Sequence, residues 1–156
     1  MRASRRRFLI ELAAAGFVLT PLAGALSGCS RRELPEGMAE IKWDRDTCVR
    51  CSMVISDRRF AAQVHGGPKK QTFKFDDMGC VVFWLKSREW GNEAATKIWV
   101  ADSGGGDEVA WLDARQARYV GGRVSPMGYN FAAVRGALPG SLDFTDMRQH
   151  ILAKGK

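Results

Sequence analysis

Polar and apolar residues alternate through Lys70-Gln-Thr-Phe-Lys-Phe75, and the stretch before it, Arg59-Phe-Ala-Ala-Gln-Val-His65, has strand composition. The two runs flank Gly66-Gly67-Pro68, a strong turn signal, so residues 59–75 predict a β-hairpin. The next run is apolar for longer and opens on two acids. Asp76 or Asp77 can cap a helix from Met78 to about residue 88, with Cys80, Phe83 and Trp84 on its core face. Gly91-Asn92 ends that unit. Residues 97–101 and 108–112 predict a second hairpin around Gly104-Gly105-Gly106, residues 115–120 read as strand or short helix, and Gly121-Gly122 and Pro126-Met127-Gly128 punctuate an irregular loop. A strand at residues 130–134 and a helix at residues 143–154 close the chain. The order predicts a small single α+β domain of two ββαβ-like units with largely antiparallel sheets.

The first residues follow another rule. Arg2, Arg5, Arg6 and Arg7 precede an apolar stretch, residues 8–26, broken by Pro21 and followed by small residues, the layout of an export signal. Ser4-Arg5-Arg6-Arg7-Phe8-Leu9 resembles a twin-arginine signal, and Leu26-Ser27-Gly28-Cys29 resembles a lipoprotein cleavage box with Cys29 as the lipidated residue. A transmembrane anchor is the other reading of the apolar stretch. Both place the body outside the cytoplasm. The expected organisation is a twin-arginine-type lipoprotein signal at 1–28, a lipid-anchored, mobile tether at 29–42 and one folded domain at 43–156. Four arginines and Glu11 lie within residues 1–28, so the formal charge of +7 falls to +4 in the mature chain. That excess is too small and scattered to imply a nucleic-acid partner. The membrane is reached through the lipid anchor.

The candidate chemistry sits in Cys48-Val-Arg-Cys51-Ser-Met53, three soft sulfur ligands within six residues. Thiolate and thioether together suit Cu(I), a soft ion of low coordination number, whereas hard ions want oxygen. The Cys-x-x-Cys spacing also serves zinc sites, thiol-disulfide exchange and structural disulfides. Zinc needs a second ligand pair, and Cys80, His65 and His150 do not form one by spacing. A thioredoxin-like site needs the motif at a helix N-terminus after a buried strand, whereas Val54, Ile55 and the run after them look extended. With Cys29 assigned to lipid, three thiols remain, an odd number for an oxidising compartment. Met127, between Pro126 and Gly128, is presented by a turn and is a further candidate ligand. Cys80 on the apolar face of the helix reads as a small core residue, and His65 as an exposed strand-end residue that a loop could swing onto metal.

Asp46-x-Cys48-x-x-Cys51-Ser-Met53-x-Ile55, Phe60-Ala61-Ala62-Gln63, Phe75-Asp76-Asp77-x-Gly79-Cys80, Trp99-x-x-Asp102, Trp111-x-Asp113-Ala114 and Ser125-Pro126-Met127-Gly128 are together similar to the NosL family over residues 43–137. The resemblance implies two small α+β units, a lipid-anchored copper chaperone that is not an enzyme, and Cu(I) bound through a Cys-Gly-Met motif that Cys51 and Met53 match. It also implies delivery to the assembly machinery of a copper enzyme, nitrous oxide reductase. Two departures stand out: Ser52 replaces the glycine, and Cys48 adds a thiol, as a further ligand or as a disulfide partner of Cys51. The expected site is therefore Cys51 as anchoring thiolate and Met53 as labile ligand, with Cys48 and Met127 completing or guarding it. The alternative is a tethered thiol-disulfide oxidoreductase using Cys48 and Cys51.

Overall fold

The chain turns back at Gly66 because the sequence there supplies what a tight reversal needs. Gly67 and Lys70 take positive φ, +78° and +46°, and the Lys70 N–H donates to the Gly67 carbonyl at 2.9 Å. The strands on either side, β1 (Ala62–Gly66) and β2 (Gln71–Phe75), pair antiparallel from Ala62 opposite Phe75 to Gly66 opposite Gln71. A computed structural model describes residues 33–106 and 108–155. The expected export signal, residues 1–28, and Cys29 lie outside the described residues.

Helix α1 (Met78–Lys86) starts where Asp77 accepts the Gly79 N–H at 2.8 Å, so Asp77 rather than Asp76 is the cap. A 3₁₀ turn at Glu89–Asn92 leads to β3 (Lys97–Ala101), which pairs with the free edge of β1, and β4 (Trp111–Asp113) pairs with β3. The four strands form one antiparallel sheet in the order β2-β1-β3-β4. Then β5 (Arg118–Gly121) and β6 (Phe131–Val134) form a two-stranded antiparallel sheet, and α2 (Phe144–Lys154), capped by Asp143, packs against α1. The α+β class with antiparallel sheets agrees with the sequence pattern. The partition differs in one respect: β4 adds to the first sheet, which leaves β5, β6 and α2 as the second unit.

Residues Leu34–Lys156 form one compact unit around one core. Val64, Phe75, Val81, Trp84, Ile98 and Val100 fill the space between the sheet and α1, and Met147 and Ile151 close it from α2. Helix α1 is buried on nearly every side, which explains its run of apolar residues without a polar stripe. Its outer side is covered by residues 125–131. Gly79 makes that possible, because a Cβ there would overlap the Tyr129 ring.

The other face of the sheet is covered by residues 37–41. Gln63, fully buried, clamps Ala39 by accepting its N–H at 3.0 Å and donating to its carbonyl at 2.9 Å. Thr72 donates to the Gly37 carbonyl at 2.5 Å, and Ile41 is buried. Part of the stretch read as a mobile tether is thus docked. The buried amide of Gln63 needs two backbone partners, and this segment supplies them.

Candidate metal centre

The Cys48 motif is a hairpin loop closed by the Cys48 N–H on the Met53 carbonyl at 2.8 Å, flanked by a bridge between Thr47 and Val54. Inside it the Ser52 N–H donates to the Cys48 carbonyl at 2.9 Å, which requires left-handed backbone at the last loop residue. Ser52 has φ +64°. The loop is fixed to β2 by the Val49 N–H on the Lys74 carbonyl at 3.0 Å and by an ion pair of Lys74 with Asp46 at 2.6 Å. That pairing holds the Asp46 carboxyl below the usual carboxylate range, and the Lys42 N–H adds to it.

Docking the loop there sets its two thiols against the β2–α1 junction. Cys48, Cys51, Asp76 and Cys80 converge so that their four ligand atoms all lie within 4.8 Å of one another. Asp76 is the residue after β2, and Cys80 is in the first turn of α1. Cys48, Asp76 and Cys80 are at most 1% exposed, whereas Cys51 is half-buried. All three cysteines are free thiols. The Cys51 thiol donates to both Asp76 oxygens at 3.4 Å.

Charge is shared unevenly in this cluster. The Cys80 thiol and the N–H groups of Cys51 and Asp76 stabilise a thiolate on Cys48 and hold it down at about 4, against the opposing effect of burial. Cys80 is pushed up because its proton is committed to Cys48, and burial adds to this. The pair carries one negative charge, seated on the sulfur that the backbone N–H groups face. Burial pushes Cys51 up to about 11, with help from the charges on Cys48 and Asp76. Desolvation, then Cys48, pushes Asp76 up to about 6. Arg50 offsets part of the charge: its guanidinium lies 3.9 Å from the Cys80 sulfur and 5.0 Å from the centre of the Phe83 ring.

A metal–sulfur bond of about 2.3 Å sets the sulfurs of a three- or four-coordinate ion ~3.8–4.0 Å apart. The cluster, with its ligand atoms within 4.8 Å of one another, therefore closes on a single ion with movements of up to about 1 Å. Three sulfurs and one carboxylate select soft or borderline ions over calcium or magnesium.

The other expected residues are placed differently. Met53 is 45% exposed, as are Val49 and Val54 of the same hairpin to similar extents. Met127 is partly buried against the core. Its N–H donates to Asp77 at 3.2 Å, and Asp77 also accepts the Ser125 hydroxyl, so the Ser125-Pro-Met-Gly128 turn is pinned to the start of α1. The His65 ring shares a 2.9 Å hydrogen bond with Thr72 and lies beneath Gly37, within the sheet and its docked segment. Cys80, read from its helical setting as a core residue, is both buried and part of the cluster. Sequence pattern marks Asp76 only as a possible helix cap and gives no signal for Arg50.

The NosL family model matches residues 40–136. Among solved structures, the chain is similar to the crystal structure of the copper chaperone NosL from Shewanella denitrificans, with a TM-score of 0.54 and 16% identity over 76% of this chain and 89% of that one. At that identity the likeness speaks for the fold. A comparison with curated proteins gives no match.

Proposed function

Because this chain belongs to the NosL family, a family of copper chaperones rather than enzymes, we propose that it takes up one Cu(I) and passes it on by ligand exchange. The observation that carries this reading is the convergence of three thiols and Asp76 on one point. Soft thiolates hold Cu(I) tightly, and a site without a saturated ligand shell lets an incoming ligand bind before an outgoing one leaves. Cys48, whose thiolate form the Cys51 and Asp76 N–H groups favour, is the first anchor. Cys51, the most exposed of the three thiols, is the point of entry and exit. Cys80 completes the buried side and gives up its proton when the ion arrives.

Met53, two residues from Cys51 and exposed, serves in this proposal as the labile outer ligand that meets the partner. Met127 guards the side next to Asp77. Cys29 carries the lipid after export, which puts the domain on the periplasmic side of a membrane. The recipient is nitrous oxide reductase or its maturation machinery.

The competing redox reading finds little support. An exchange nucleophile must be both ionised and exposed. Here Cys48, the thiol whose ionisation is favoured, is 1% exposed, and the accessible Cys51 donates its thiol proton to Asp76.

Anaerobic titration of the reduced domain with Cu(I) against a competing chelator tests the proposal. One ion per chain should bind, and Cys51→Ser or Cys80→Ser should each weaken binding at least about tenfold, Met53→Leu less so. No competition by the wild type would refute the copper reading. A silent Cys80→Ser would confine the site to the hairpin surface.

A further inference from the structure

The thiol cluster occupies one end of the domain, and the opposite end has a different chemistry. Around the β1–β2 turn a groove of about 330 Å³ opens between Gly66, Gly67 and Pro68 on one side and Trp84, Arg88 and Trp90 on the other. Its floor is aromatic. Phe73 and Trp84 have ring centres 4.5 Å apart, and Trp90 lies 5.6 Å from Trp84 and 6.2 Å from Phe73. The glycines keep it open, since a Cβ on Gly67 would come within 2.9 Å of Trp90. The rim is basic: Lys69, Lys70 and Arg88 are all exposed, and of the acids at this end Glu36 is paired with Lys97 and Glu89 follows Arg88 in the chain.

The chain also leaves the sheet at this end. Residues 36–40 step along it in order, with Glu36 at Lys97, Gly37 at Thr72, Ala39 at Gln63 and Glu40 at Lys74. Followed backwards, this path runs from the cluster end towards the turn. Glu36 and Gly37 therefore sit at the turn end of the sheet, and Glu40 nearer the cluster end.

We propose that this end is a membrane-docking surface for anionic phospholipid. Tryptophan beside lysine and arginine is the composition that settles at a bilayer interface, the ring among the upper acyl carbons and the cations on phosphate. Among the described residues no helix is long and apolar enough to cross a membrane, so the contact is peripheral. The orientation follows from the fold. From Gln71 to Asp76 is five strand steps, ~16 Å, so the thiol cluster points away from the lipid, where a partner can reach it.

The test uses the unlipidated compact unit, residues Leu34–Lys156, which lacks Arg31 and Arg32. Its binding is measured to phosphatidylcholine vesicles with and without about one-third phosphatidylglycerol, some carrying brominated acyl chains. Binding should require the anionic lipid, and the bromines should quench tryptophan fluorescence. The exposed charge reversals Lys69→Glu and Lys70→Glu together should weaken it at least about tenfold, whereas Arg123→Glu at the other end should leave it unchanged. Absence of binding, equal binding to neutral vesicles, or equal loss with Arg123→Glu would overturn the assignment. So would binding without quenching, which marks charge attraction without seating of the aromatic groove.

Discussion

Replacing Asp76 by asparagine should strengthen the metal-free fold. The carboxyl rises from its ordinary 3.8 to about 6 because burial and the Cys48 thiolate disfavour its ionised form. At ~1.4 kcal/mol for each tenfold change, that difference is roughly 3 kcal/mol. Solvent screening and the sharing of charge with Cys48 reduce the expected gain to about 2 kcal/mol at pH 7. The sign follows from linkage. A carboxyl whose folded value is raised binds its proton more tightly in the native state, so its penalty is absent well below pH 4, grows between about 4 and 6, and is complete above. The stability difference between Asp76→Asn and wild type should therefore be largest at pH 7 and shrink to about half a kcal/mol by pH 4. The assay is urea unfolding of the reduced, metal-free domain at both values. Other groups titrate in both proteins and largely cancel in the difference. A destabilised asparagine variant, or a gap that does not narrow on acidification, would refute the reasoning and with it the charge assignment in the cluster.

Two further substitutions test the scaffold. Gly79→Ala should lower stability by about 2–3 kcal/mol, because the new methyl group overlaps the Tyr129 ring and forces the 125–130 turn off α1, a change that thermal unfolding will register. Ser52→Gly should raise stability by up to about 1 kcal/mol, since φ +64° strains an L side chain, and denaturant unfolding of the two forms compares them directly. If Ser52→Gly lowers stability instead, the serine hydroxyl has a role that the backbone does not reveal.

Much of the scaffold was legible because its signals are local. Gly66-Gly67-Pro68 marked the first reversal and the two acids marked the start of α1. Serine in place of the motif's glycine marks Ser52 as a position of restricted backbone, and its φ is +64°. The metal centre was only half legible. Cys48 and Cys51 announce themselves by spacing, whereas Asp76 and Cys80 reach them across 25 to 32 residues by the docking of the hairpin on Lys74. Periodicity carries no information about such contacts. Cys80 looked like core filler because its neighbours are apolar, and it is as buried as core filler. A signal did exist in the paired acids. One carboxylate suffices to cap a helix, so the second, placed where strand meets helix, had no local task. Met53 is marked by its sulfur and by its match to the family's Cys-Gly-Met motif, whereas a six-residue motif does not fix the side of the hairpin on which a residue emerges.

The clamp of Gln63 on Ala39 also sets the length of a leash. With the chain held at Thr72 from Gly37 onward, only seven residues separate Cys29 from the folded body. Fully extended, they span no more than ~29 Å, whereas a leash running to Trp43 would reach ~50 Å. If Cys29 is the lipidated residue, the domain sweeps a thin layer above the bilayer. Its encounters with a recipient held in the same membrane then become a search in two dimensions, in which a modest affinity is enough for transfer.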